Sequence, residues 1–183
     1  QIAEGNAGIV QTVAEMWRQI LTYSPQVRIV AEGILRDTST LRAPAYLKAA
    51  ALYGWVQAHL VYTGDHLLVE EVRGPLYLLN EIDQYGEATG DCDDYVVLMG
   101  ALFAAVGIPF QIVTTSAHAD GEFDHVFIVV ETELGPITAD AITGEAFGWG
   151  VPLAAVTNWQ EFPIPVSLES LGLNTVEEAT YAR

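Results

Sequence analysis

Residues 91–106 read DCDDYVVLMGALFAAV, and this stretch decides the fold. After its first turn it is apolar almost all round, the composition of a helix buried on every side. Asp91, Asp93 and Asp94 crowd the first turn, where the positive end of the helix dipole favours negative charge. Gly107-Ile108-Pro109 stops the helix. Cys92, the chain's one cysteine, therefore stands in the first turn of a buried helix. Unpaired N–H groups and the dipole there stabilise a thiolate. The three acids oppose it, because like charge nearby raises a thiol's pKa. Either the acids cap the helix or face solvent, or a cation neutralises them. With one cysteine, no intrachain disulfide and no cysteine-only metal site can form. On composition alone, a lone cysteine reads as a small buried hydrophobe.

Downstream, three runs rich in Val, Ile, Thr and Phe read as strands: 110–115, 125–131 and 136–141. A polar, acidic loop over 117–124 joins the first two, and Gly135-Pro136 turns the second into the third. His125 begins the middle strand and Asp140 ends the last. Residues 148–183 hold Trp149, Trp159, Pro152, Pro163 and Pro165 and read as an extended arm, with one short helix after Ser167.

Upstream, apolar residues at Ile9, Val13, Met16, Trp17, Ile20 and Leu21 have helical spacing. Ser24-Pro25 reads as an N-cap followed by proline at the first helical position, which predicts a second helix to about Leu35. Asp37-Thr38-Ser39 is a connector, and Pro44 opens a third helix from Ala45 to about Val61, with Trp55 in its core face. Residues 62–82 read as a mixed connector. The expected architecture is α+β, a buried cysteine-bearing helix on an antiparallel sheet with helices before it. It divides into a helical segment (1–43), a core (44–150) and an arm (151–183).

A length of 183 residues, 51% of them apolar, suits one domain with a sizeable core. No apolar run reaches the roughly 18 residues that cross a bilayer. No basic-then-apolar leader pattern opens the chain, although Gln1 in place of Met leaves a removed leader open. Charge is lopsided. Residues 1–73 carry six Lys or Arg against seven acids, whereas 74–182 carry no Lys or Arg and the remaining 17 of the 24 acids. Such a surface repels phosphate backbones, so binding of DNA or RNA is not expected. The acid excess reads either as solubility or salt adaptation, or as a preference for cationic partners.

The order is cysteine at a helix start, histidine at a strand start, aspartate at the end of the next antiparallel strand. This order has a chemical logic. The histidine can serve as general base and then acid for the thiol. The aspartate can hold the imidazole in one tautomer. The arrangement predicts the Cys92 sulfur within about 4 Å of a His125 ring nitrogen. His118, in the acidic loop, is the rival base; His59 and His66 read as structural or solvated.

The segments GDCDDYVVLMGALFAAVGIPFQIVT, FDHVFIVVE and PITADA resemble the core motif of transglutaminase-like proteins, which share the papain-like cysteine-enzyme fold. The resemblance covers roughly residues 47–152. With Trp55, Tyr62, Asp65, Glu70, Glu71 and Pro75 upstream and Gly148-Trp149 downstream, it is similar to a variant common in bacteriophage and prophage genes. Carried over residue by residue, it implies Cys92 as nucleophile, His125 as base and Asp140 as orienting residue. It implies acyl transfer on amide bonds, with hydrolysis of a protein or peptidoglycan peptide as the default, and no required cofactor. In such enzymes the oxyanion hole takes one donor from the cysteine N–H and a second from a side chain several residues upstream. Gln84 stands at that distance, and reads otherwise as a solvated connector residue. Family members with a similar acidic turn hold calcium there, which would make Asp91 and Asp93 its oxygen ligands. The phage flavour and the proline-punctuated arm also imply a second reading: a virion structural protein that uses the domain as a scaffold, its arm packed on other phage virion proteins. That reading would place it in the virion or the host cytoplasm.

Overall fold

The buried helix is present and sits at the centre of the molecule. A computed structural model describes residues 6–64, 72–118 and 121–165. In chain order they form α1 (Asn6–Asp37), α2 (Ala45–His59), β1 (Leu60–Tyr62), α3 (Pro75–Tyr85), β2 (Ala88–Gly90), α4 (Cys92–Ala105), β3 (Phe110–Ser116), β4 (His125–Thr132), β5 (Gly135–Ala139) and β6 (Asn158–Pro163). Short 3-10 turns cover 141–143 and 153–155. Four strands make an antiparallel sheet in the order β5-β4-β3-β6, while β1 and β2 pair in parallel as a separate two-stranded sheet. The class is the expected one, α+β with the cysteine helix packed on an antiparallel sheet.

Every residue of α4 from Asp93 to Phe103 is buried, which explains its lack of a polar face. One side of it meets α1, its most extensive partner, through Trp17 and Ile20; the other meets Val126, Ile128 and Val130 of β4. Gly100 lets α4 lie close to α1, since a Cβ there would stand 2.7 Å from Ile20 Cδ1 and force that side chain to shift. Trp17 also stacks on Phe110, ring centroids 5.1 Å apart. Residues 6–37 therefore supply one wall of the core that holds α4, and residues 158–163 supply the sheet's β6 edge.

The two helices expected on either side of Ser24-Pro25 are one. α1 runs through Pro25, which is exposed on its solvent side. A proline inside a helix costs roughly 3 kcal/mol. Val27, Ala31, Ile34 and Leu35 continue the buried face of Ile20 past it. Each fully buried Val, Leu or Ile is worth about 1.5–3 kcal/mol, so tertiary burial outweighs the local stop signal. The predicted connector over 62–82 needs a second correction, because it contains most of α3. Pro75 takes the first helical position, Leu78 and Ile82 one turn apart face the core, and Gly86 closes the helix in the left-handed region at φ 87°. Asp65, His66, Glu70, Glu71 and the helix expected after Ser167 lie outside the described residues. Among the described residues, no helix is long and apolar enough to cross a membrane.

Candidate active site

The turn that carries Cys92 is built by a capping box. Asp91 is the N-cap, and its Oδ1 accepts from the N–H groups of Asp93 (3.1 Å) and Asp94 (3.2 Å). Asp94 reaches back, its Oδ2 accepting from the Asp91 N–H at 3.3 Å. The preceding Gly90 is obligatory, for a Cβ there would lie 2.7 Å from the Asp94 Cβ. Asp94 is itself buried and is paired with Arg73, whose guanidinium also donates to the Thr89 carbonyl on β2. Of the alternatives for these acids, capping accounts for Asp91 and Asp94, and an arginine from outside the turn neutralises Asp94. Burial pushes the Asp94 carboxyl up, and Arg73 pulls it back.

Removing Arg73 while keeping its bulk has a calculable consequence. Arg73→Met strands a carboxylate that is 3% exposed and should lower stability by about 3–5 kcal/mol at neutral pH, read by urea unfolding. The sign with pH follows from Asp94. Its carboxyl is already raised in the folded state and rises further without the guanidinium. The folded variant is then favoured by protonation, so the deficit should shrink as pH falls. A deficit that stays constant down to pH 4 would refute the pairing as its cause.

Cys92 is half-buried, and its thiol donates to Asp93 Oδ1 at 3.7 Å. The Val126 backbone N–H is the one influence that favours the thiolate. Strand register makes that N–H available. β5 pairs with β4 only from Ile128 onward, so Val126, on the same edge two residues earlier, projects past the end of β5. Burial, then the charges of Asp93 and Asp91, push the Cys92 thiol far above the ordinary range, and the Val126 N–H offsets only part of this. Desolvation and two neighbouring carboxylates thus oppose the thiolate expected from the helix terminus.

His125 opens β4 with its side chain 18% exposed, and its Nε2 lies 2.8 Å from Asp140 Oδ2. Asp140 stands one residue past β5, at the head of the 3-10 turn, with its side chain 1% exposed. Its Oδ1 is buried without a hydrogen-bond partner. A carboxylate can only accept, so Nε2 carries the proton in the neutral ring and Nδ1 is the nitrogen left to act as base. Side chains alternate along β4, which puts Val126 on the α4 side and His125 with Phe127 on the other. Cys92 packs against the main core cluster, and His125 stands at the start of β4. The thiol's own hydrogen bond runs to Asp93 and not to His125.

The other sequence candidates fall elsewhere. His118 is exposed in the β3–β4 loop and pairs with Asp124 at 3.0 Å. His59 stacks on Trp55, ring centroids 4.3 Å apart, with Nδ1 2.8 Å from the Trp55 carbonyl. Gln84 is exposed in the last turn of α3. Asp91 and Asp93 offer oxygens of the right kind for calcium, but Asp91 Oδ1 is committed to the cap and Asp93 Oδ1 to the thiol. Among the described residues no three His, Cys, Asp or Glu side chains converge to hold an ion. As arranged, these residues fit a helix cap and not a calcium cage.

Two contributors went unrecognised in the sequence. Arg73 gave a signal, as the last basic residue before the acidic stretch. Tyr53, whose hydroxyl meets the Asp140 carbonyl, looked like any core residue of α2.

A cysteine at the start of a buried helix and a histidine–aspartate pair on the adjoining antiparallel sheet are the layout of papain-like cysteine enzymes. A transglutaminase-like superfamily model matches residues 32–162. The chain belongs to that superfamily. No curated protein sequence matches it. A solved structure of a candidate cysteine protease from Cytophaga hutchinsonii superposes with a TM-score of 0.48 at 19% identity, over 76% of this chain and 47% of that one. Another, a candidate protease from Parabacteroides distasonis, has a TM-score of 0.56 at 12% identity, over 75% of this chain and 26% of that one. The second likeness is one of fold. The chain spans less than half the length of either structure.

Proposed function

We propose that this protein is a cysteine-dependent acyl-transfer enzyme that hydrolyses amide bonds in a protein or a peptidoglycan peptide. The observation that carries the reading is the His125 Nε2–Asp140 Oδ2 pair, 2.8 Å long, in a chain whose one cysteine opens the buried helix α4. Because burial and the flanking carboxylates disfavour a free thiolate, activation coincides with attack. His125 Nδ1 takes the Sγ proton as the sulfur bonds to the substrate carbonyl carbon. The Cys92 N–H supplies one donor to the developing oxyanion. The imidazolium then gives its proton to the departing amine, leaving a thioester. Water, deprotonated by the same nitrogen, attacks the thioester and releases the acid and the free thiol. An amine in place of water would give cross-linking.

One observation favours a different reading. The acid-flanked, half-buried thiol, hydrogen-bonded to Asp93, suits a scaffold that has kept the fold without the chemistry. A phage virion component is the form that reading takes. Iodoacetamide separates the two when its reaction with Cys92 is followed by mass across pH. With the thiol raised, reaction at pH 7 should be slower than that of a free cysteine peptide. It should climb about tenfold per pH unit toward pH 9, as the thiolate fraction does. In the enzyme, a peptide bearing an electrophilic carbonyl should label Cys92 much faster than iodoacetamide does, since proton transfer to His125 accompanies attack. That advantage should vanish in His125→Ala. Equal labelling of wild type and His125→Ala by the peptide electrophile would overturn the enzymatic reading.

A further inference from the structure

Asp140 is fixed by the sheet on one side only. Ala139 before it is fully buried and paired with Ile128, but Asp140 itself has left β5 and no strand holds it. What holds it comes from α2. The Tyr53 hydroxyl lies 3.1 Å from the Asp140 carbonyl and 2.8 Å from the Glu145 carbonyl. One turn along the helix, Gln57 Nε2 donates to the same Glu145 carbonyl at 2.9 Å and to the Tyr53 oxygen at 3.4 Å. A phenol has one proton. That proton sits between the two carbonyls, nearer Glu145 than Asp140, and so ties both ends of the 140–145 turn to α2. Thr143 Oγ1 adds a second donor to the Asp140 carbonyl at 3.0 Å. The Tyr53 ring is 3% exposed and packs against Phe147, 5.4 Å between centroids, so the hydroxyl has little freedom. Burial and the Asp140 charge push the Tyr53 phenol to about 12, so it remains a donor throughout the physiological range.

We propose that Tyr53 and Gln57 are positioning residues: they clamp the 140–145 turn onto α2 and thereby aim Asp140 at His125 Nε2. The clamp acts through two carbonyls and touches neither Cys92 nor His125. Its function is to keep the imidazole in the Nε2–H tautomer, with Nδ1 free. This rests on the reading of His125 and Asp140 as the base and its orienting residue, and the test separates the two.

The test is nitrogen and carbon NMR of the His125 ring in the intact protein, which reports tautomer ratio without any substrate. Wild type should show the Nε2–H form dominant. Tyr53→Phe keeps the ring, its packing and the fold, and should lower the Nε2–H to Nδ1–H ratio by about tenfold, the factor expected from weakening one charge-assisted hydrogen bond. Gln57→Leu should move it in the same direction, by less. Thermal unfolding run in parallel verifies that the variants fold. Should Tyr53→Phe fall short of folding, Gln57→Leu carries the test, and an unchanged ratio there overturns the clamp. A folded Tyr53→Phe with the wild-type ratio, while Asp140→Asn shifts it, also overturns the clamp and leaves the His125–Asp140 reading standing. Wild type in the Nδ1–H form would overturn both.

Discussion

Cys92→Ala is expected to reduce turnover to background, a loss on the order of 10⁶-fold if the protein is a hydrolase, as removal of a covalent nucleophile does elsewhere. The size follows from chemistry more than from geometry. Cys92 is the chain's one cysteine, and no second thiol can take over. Stability should move little, because the side chain is half-buried and its bond to Asp93 is long at 3.7 Å. Losing the sulfur also relieves Asp93 of a neighbour whose ionisation its charge resists. Hydrolysis of peptide and peptidoglycan substrates, with thermal unfolding alongside, tests both halves of the expectation. An alanine variant with full biological function would leave the scaffold reading in possession.

The parts of the fold legible in the sequence are those where one local signal is decisive and burial agrees with it. The all-apolar 95–106 run left no exposed face for a helix to present. The Val- and Ile-rich strands after it are bounded by Gly107-Ile108-Pro109, an acidic loop and Gly135-Pro136. β3, β4 and β5 fall within a residue or two of the expected runs. Asp140 shows how small the residual error is and why it matters. Expected as the last residue of a strand, it lies one step beyond, where a 3-10 turn and α2 determine its direction. Pro25 shows a local signal losing to tertiary burial. β1 and β2 were illegible because each is three residues long and exists only by pairing with the other. The same reason hid Arg73 and Tyr53. Their partners, Asp94 and the Asp140 carbonyl, are 21 and 87 residues away in the chain. The upward push on the Cys92 thiol was half legible: the opposing acids were in view, but the weight of desolvation was not.

Asp140→Asn is expected to cut activity by about 10²–10⁴-fold, the cost of the wrong imidazole tautomer in triads of this logic. The buried surroundings of Asp140 leave asparagine no good orientation. With its NH₂ toward His125, it demands an acceptor at Nε2 and drives the proton to Nδ1, the nitrogen that must receive the thiol proton. With its oxygen toward His125, the tautomer survives. The NH₂ then occupies the place of Oδ1, which is buried and has no hydrogen-bond partner. A buried donor left unpaired costs about 1–3 kcal/mol, so this orientation trades stability for geometry. The two orientations predict different signatures. The first lowers the rate with unfolding little changed; the second lowers the unfolding temperature with the rate partly kept. Either outcome assigns Asp140 to the imidazole. An Asp140→Asn protein with wild-type rate, wild-type unfolding and the wild-type His125 tautomer would show that the 2.8 Å pair has no bearing on the chemistry at Cys92.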